Sequence, residues 1–411
     1  MTGRNSPTAP RLRRGDRLVA FLAVLTLLCA GVFALSLSRA RATATRVTNA
    51  ERSIRTALEK QGAALLRGDE QAWLSTADSS LSGEMTRLYA NLRGFQISGW
   101  ISRAGHVKGE KKEWTAEVQI RVCFATPTCT RTAETFIPAG DVIAARTRWN
   151  VQNDRATLTA IDQNSPEGSV PWKRETLDFA QGERVVIAAP RGLTGAKPAQ
   201  WLAAAERAAR VADRYALSTP KPGRYFIFLA GPDQWKAAVG KDREATAFVD
   251  RISTSTAFAI IDLSSFGTAY TDENLLRHEL GHIATLLGTL GNQEEWAVEG
   301  MAEYIAYTGR PVRAYDLLSD ARRHVEETGW NGKLDLEWSP EPAERFGYYA
   351  MGYLAMRCLA ETYGEPKLLN FFTKVVREGE APEEAAQSEL NTTWEAAQTT
   401  CRPKIKAWLT P

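Results

Sequence analysis

From Leu18 to Ser38 the chain carries no charged residue, and Arg4, Arg11, Arg13, Arg14 and Arg17 precede that run. A stretch of this length crosses a bilayer as a helix, whereas a soluble helix as long would show a polar face. Beyond it the pattern changes. From about residue 47 to 92, Ala, Leu and Arg recur at helical spacing, with a break at Arg67-Gly68-Asp69 and a shorter continuation through Trp73. Next come β-branched and aromatic stretches at 94–102, 114–124, 130–137, 142–151 and 155–162, separated by turn-formers, which predict five strands. Helices followed by an antiparallel run predict an α+β unit whose sheet wraps around the helix.

A polar, turn-rich segment at 163–171, with NSPEGSVP at its centre, marks a boundary. Past Trp172 the pattern predicts a strand at 183–188, a helix at 201–216, a strand at 224–229 and a short helix after Pro232. An apolar stretch, 257–263, precedes a mostly helical remainder starting near Asp272. The chain therefore divides into 1–46, 47–163 and 172–411, and the fold class is α+β.

The 411 residues bring 51 Lys and Arg against 48 Asp and Glu. With no dense basic stripe beyond the first fifty positions, nucleic acid is excluded as a partner. More positive charge before the apolar run than after it sets the N-terminus in the cytoplasm and the rest outside. The expected localisation is a single-pass membrane protein with extracytoplasmic domains. The alternative is a secreted chain cleaved near Ala42 or Ala44. Either way the bulk of the chain is exported. Cys29 lies in the apolar run, and Leu28 before it disfavours lipidation. Four cysteines remain for an oxidising compartment. Cys123 and Cys129 flank the turn ATPT, so a hairpin disulfide is expected there, and Cys358–Cys401 follows by elimination. Four buried thiols are the alternative.

Chemistry concentrates in His278-Glu279-Leu280-Gly281-His282. On a helix, positions 278 and 282 share a face, so both imidazoles reach one zinc ion, while Glu279 is turned toward a water instead. Thr271 or Asp272 can cap the start of this helix, and Gly288 or Gly291 can end it. His106 and His324 have no motif around them and read as surface residues.

A hydrolytic zinc site takes a third protein ligand. With HELGH and the downstream EEWAVEGMAEYIAY, residues 172–411 resemble the gluzincin metallopeptidases, the peptidase MA-like group related to thermolysin and aminopeptidase N. The resemblance implies a zincin domain with a small mixed sheet and a mostly helical C-terminal part. It implies Glu299 as third ligand of one Zn2+ and Glu303 as the carboxylate that orients a ligand histidine. A solvated helix position is the other reading of Glu303. In YAMG, Tyr349 matches the tyrosine that stabilises the tetrahedral intermediate, with Tyr348 and Tyr353 as competitors and a purely structural role for all three as the alternative. The stretch 257–263 matches the edge strand that lines the cleft, although it can equally be interior. No GxMEN-like segment precedes HELGH, so endopeptidase action is expected, on a protein or peptide substrate. The spacing from His282 to Glu299 is slightly shorter than in the aminopeptidase N type. Residues 45–163, with ALLRGDEQAW, resemble the nuclear transport factor 2-like fold, a cone of helices and curved antiparallel sheet. That domain is expected to act as a spacer, docking module or regulator. The competing functional reading is a non-catalytic binding or scaffold protein with structural zinc, and an intact Glu279 argues against it.

Overall fold

The computed structural model of the chain describes residues 14–125, 141–162, 175–195, 197–219, 221–239, 246–251, 256–265, 273–289, 294–337 and 342–410. The predicted strand at 130–137, the Cys123–Cys129 bridge through Cys129, and Thr271, Asp272 and Gly291 lie outside these residues.

Helix α1 (Arg14–Arg67) is a single 54-residue rod. Leu25, Leu27, Leu28, Val32, Phe33 and Leu35 are all exposed on it, and burial begins only near Ala50. This helix is long and apolar enough to cross a membrane, which suits a span or a signal sequence. No Gly or Pro occurs between positions 32 and 61, so nothing breaks the helix where the expected boundary at 46/47 falls. It stops at Gly68, whose φ of 76° takes the left-handed conformation that glycine adopts freely. Asp69 then caps α2 (Glu70–Leu74), its side chain accepting from the Ala72 amide.

After α3 (Ser82–Gly94) comes an antiparallel sheet in the order β1 (Ile97–Glu110), β2 (Glu113–Phe124), β3 (Asp141–Gln152) and β4 (Arg155–Asp162). The second sheet holds β5 (Leu177–Gln181), β6 (Val185–Pro190), β7 (Tyr225–Ala230), β8 (Ala247–Arg251) and β9 (Ala257–Asp262) in the order β5-β6-β7-β9-β8. Strands β6, β7 and β9 are parallel, and β5 and β8 close the sheet antiparallel at either side. Of the two readings of 257–263, edge or interior, the sheet order gives the interior one, and β8 takes the edge. All six residues of β9 are buried, as a parallel strand covered on both faces requires.

Alternation decides what covers those faces. Val185, Ile187, Tyr225, Ile227, Leu229, Ala259 and Ile261 point to one side, against α4 (Pro198–Ala212) and the helix bearing HELGH. Val186, Phe226, Phe228, Phe258 and Ile260 point to the other and merge with the core of the N-terminal unit. Phe95 sits at that junction, its ring centroid 5.8 Å from Phe124, 5.0 Å from Phe179 and 5.1 Å from Phe258. Nearby, the Asn91 side chain donates to Glu175 O and accepts from the Leu177 amide. The N-terminal unit therefore forms one wall of the second sheet's core.

A short α5 (Pro232–Val239) follows β7, and the remainder is helical: α6 (Glu273–Leu286), α7 (Glu295–Ala306), α8 (Leu318–Thr328), α9 (Pro342–Tyr363), α10 (Glu365–Phe372), α11 (Pro382–Ala385) and α12 (Trp394–Leu409). Cys358 on α9 and Cys401 on α12 form a disulfide, with Cα atoms 5.7 Å apart.

Candidate metal centre

Helix α6 is buried on almost every side. Leu276, Leu280, Ile283 and Ala284 pack on the sheet, leaving His278 and His282 to face α7. Gly288, with φ of 82°, follows its last turn, and the Arg377 guanidinium donates to Thr285 O at 2.6 Å and Leu287 O at 3.1 Å. Those carbonyls belong to the helix's open C-terminal end, where a cation is favoured.

Across from it, α7 presents Glu299 and Glu303 one turn apart. The Nε2 atoms of His278 and His282 are 3.0 Å from each other. Glu299 Oε2 lies 3.2 Å from the first and 3.4 Å from the second. Three donors at about 2.0–2.1 Å from a tetrahedral zinc would stand about 3.3 Å apart, so the triangle already has the size such an ion needs. Two imidazoles and one carboxylate are also a donor set that zinc takes. The residues present fit the ion.

Glu303 Oε1 meets Nδ1 of His278 at 2.9 Å. At 8 % exposure it is no solvated helix position. The corresponding Nδ1 of His282 has no hydrogen-bond partner among the described residues. Glu279 is 4 % exposed, and its Oε2 is likewise buried without a hydrogen-bond partner there. Burial pushes the Glu279 carboxyl up, the two histidines opposing. Burial would also raise Glu299, yet the imidazoles of His282 and His278 hold it far below the usual carboxylate range. His278 shows the converse. Its burial acts downward, and Glu299 and Glu303 together lift it well above an ordinary imidazole.

Of Tyr348, Tyr349 and Tyr353 on α9, Tyr349 lies beside the cluster, its ring centroid 6.2 Å from that of His278. Its hydroxyl is pushed up first by burial and then by Glu299 and Glu279. Tyr353 instead stacks on Tyr315 at 4.1 Å, deep in the helical core. Tyr348 is 2 % exposed, and its hydroxyl is pushed up first by burial and then by Glu295, Glu299 and Glu294. Away from this centre, His106 is exposed and pairs with Glu117 at 2.6 Å. His324 differs from the surface reading: it is half-buried, and burial lowers its pKa. Sequence reasoning missed Arg377, which carries no motif and lies 92 positions from Thr285, whose carbonyl it hydrogen-bonds.

No known family's sequence profile matches the chain, and no curated protein matches it either. Solved structures with some likeness include an M1 zinc metallopeptidase from Deinococcus radiodurans, 14% identical over 76% of this chain and 62% of that one, at a TM-score of 0.34. A mutant M1 zinc metallopeptidase from the same organism, bound to a Tyr-Ser-Ala substrate, is 14% identical over 75% and 62%, at a TM-score of 0.37. A two-domain M1 zinc metallopeptidase mutant bound to L-tryptophan is 14% identical over 64% and 59%, at a TM-score of 0.35. The chain thus spans less than two thirds of the length of each.

Proposed function

We propose that the chain is a zinc-dependent peptidase, an endopeptidase acting on protein or peptide substrates outside the cytoplasmic membrane, with one Zn2+ held by His278, His282 and Glu299. One observation carries this reading: two imidazole nitrogens and a carboxylate oxygen, all mutually within 4.8 Å, sit beside the buried Glu279 carboxyl, whose Oε2 has no hydrogen-bond partner among the described residues. A purely structural site has no use for that last group.

Zinc bound there would supply a Lewis acid that polarises water and the scissile carbonyl. Glu279 accepts a proton from the attacking water and later returns it to the leaving amine. Burial of its carboxyl serves this role, because a base works best with a pKa near the working pH. Glu303 holds the His278 ring in one tautomer by accepting from Nδ1. Tyr349, kept protonated by its surroundings, donates to the carbonyl oxygen as charge builds on it. The apolar portion of α1 anchors the chain, with the N-terminus cytoplasmic.

The test uses the full chain in detergent, assayed for metal content and for cleavage of a peptide library. One zinc per chain and chelator-sensitive cleavage are expected. Glu279→Gln should keep the zinc and lose about 10²–10⁴-fold in turnover, the usual contribution of a general base. Wild-type turnover in that variant removes the mechanism.

A further inference from the structure

Gly300 follows Glu299 on α7, and Gly352 stands one turn beyond Tyr349 on α9. The two glycines face each other. A Cβ on Gly300 would lie 2.5 Å from Gly352 O and 3.0 Å from Gly352 Cα. A Cβ on Gly352 would lie 2.8 Å from Trp296 O and 3.0 Å from Gly300 Cα. All these neighbours are backbone atoms, which no side-chain rotation can clear, so the helices touch backbone to backbone. Neither glycine has a left-handed φ. Their reason for being glycine is therefore this close approach and not a turn.

The geometry points to Gly300 and Gly352 as a pair of positioning residues that set the distance between the Glu299 carboxylate and the Tyr349 hydroxyl. Glu299 is tied to α6 through both imidazoles, while α9 contributes nothing to that triangle. A methyl group between the helices would therefore displace α9 and leave the triangle intact. Tyr349, three positions before the contact, would retreat from His278. The inference rests on the peptidase reading and adds the structural device that keeps the tyrosine in range.

The test measures zinc affinity, melting temperature, kcat and KM for the zinc-loaded full chain on a peptide that the wild type cleaves. Gly352→Ala should bind zinc within about twofold of wild type and lose about tenfold or more in kcat, with KM within about threefold. Tyr349→Phe should lose about 10²-fold in kcat, the scale of one oxyanion donor. Introducing Gly352→Ala on top of Tyr349→Phe should then lower kcat by less than about twofold, because both changes remove the same contact. Gly347→Ala is the control on the same helix: its Cβ would meet His324 Cβ at 2.8 Å, on the side facing α8. It should lower the melting temperature and spare kcat.

Additive losses in the double variant, a weakened zinc affinity in Gly352→Ala, or an equal kcat loss in Gly347→Ala would each overturn the pair's assigned role. Gly300→Ala supplies the second variant. If neither it nor Gly352→Ala folds with zinc, the contact serves folding alone and the inference falls. A wild type that binds no zinc or cleaves nothing sinks the peptidase reading itself, an outcome separate from these.

Discussion

Two carboxyls, Glu279 buried and Asp250 partly so, show how environment divides the work of one side-chain type. Glu279 is raised by burial, with the neighbouring imidazoles of His278 and His282 opposing. Asp250 on β8 is also raised by burial, and it has no hydrogen-bond or ion-pair partner among the described residues. Its folded pKa lies above the ordinary 3.8, so the folded state holds the proton more tightly than the unfolded one. Stability from this group is fully present below the unfolded value and lost as pH rises through the folded one. Asp250→Asn is therefore expected to raise the melting temperature at pH 7, and the gain should vanish near pH 3.5. Thermal melts of both proteins across that range check it; an equal gain at both ends would contradict the assignment.

At the scale of elements, α6 is held from two directions. Its flank packs on the sheet through Leu276, Leu280 and Ile283, and its last carbonyls are satisfied by Arg377 from the C-terminal helices. Arg377→Met keeps the apolar stem and removes both hydrogen bonds, which should cost about 1.5–3 kcal/mol, the range for hydrogen bonds to a charged group. Denaturant titration measures it. The Cys358–Cys401 bridge has a sequence separation of 43 and ties the helix of Tyr349 to α12. On the chain-entropy account a closed loop of that size contributes about 4 kcal/mol. The Cys358→Ala, Cys401→Ala double variant should lose stability on that scale while keeping zinc, since neither residue touches the metal triangle.

For the whole molecule, the decisive feature is the second sheet's shared core. Phe226, Phe228 and Phe258 are all under 5 % exposed because the N-terminal unit covers them. A fragment starting at Trp172 would present that aromatic face to water, a patch that drives association. It is expected to aggregate, whereas removal of residues 1–46 alone should give a soluble, monodisperse protein. Size-exclusion chromatography of the two truncations distinguishes these outcomes, and a monodisperse 172–411 fragment would contradict the shared core.

Much of the site was legible beforehand, because helix geometry alone sets His278 and His282 on one face and Glu279 beside them. The apolar run before residue 39 and the nearly unbroken apolar runs of β6, β7 and β9 were equally local, each visible within a few turns or strand residues. Other features needed the chain to fold back on itself. Whether 257–263 is edge or interior depends on β8, five residues that no period announces. Which of Tyr348, Tyr349 and Tyr353 faces His278 depends on the rotation of α9, and that rotation is set by a glycine contact with α7, roughly fifty positions away. Periodicity records what a segment hides from water; it does not record what the segment hides against, and only packing between distant elements decides that.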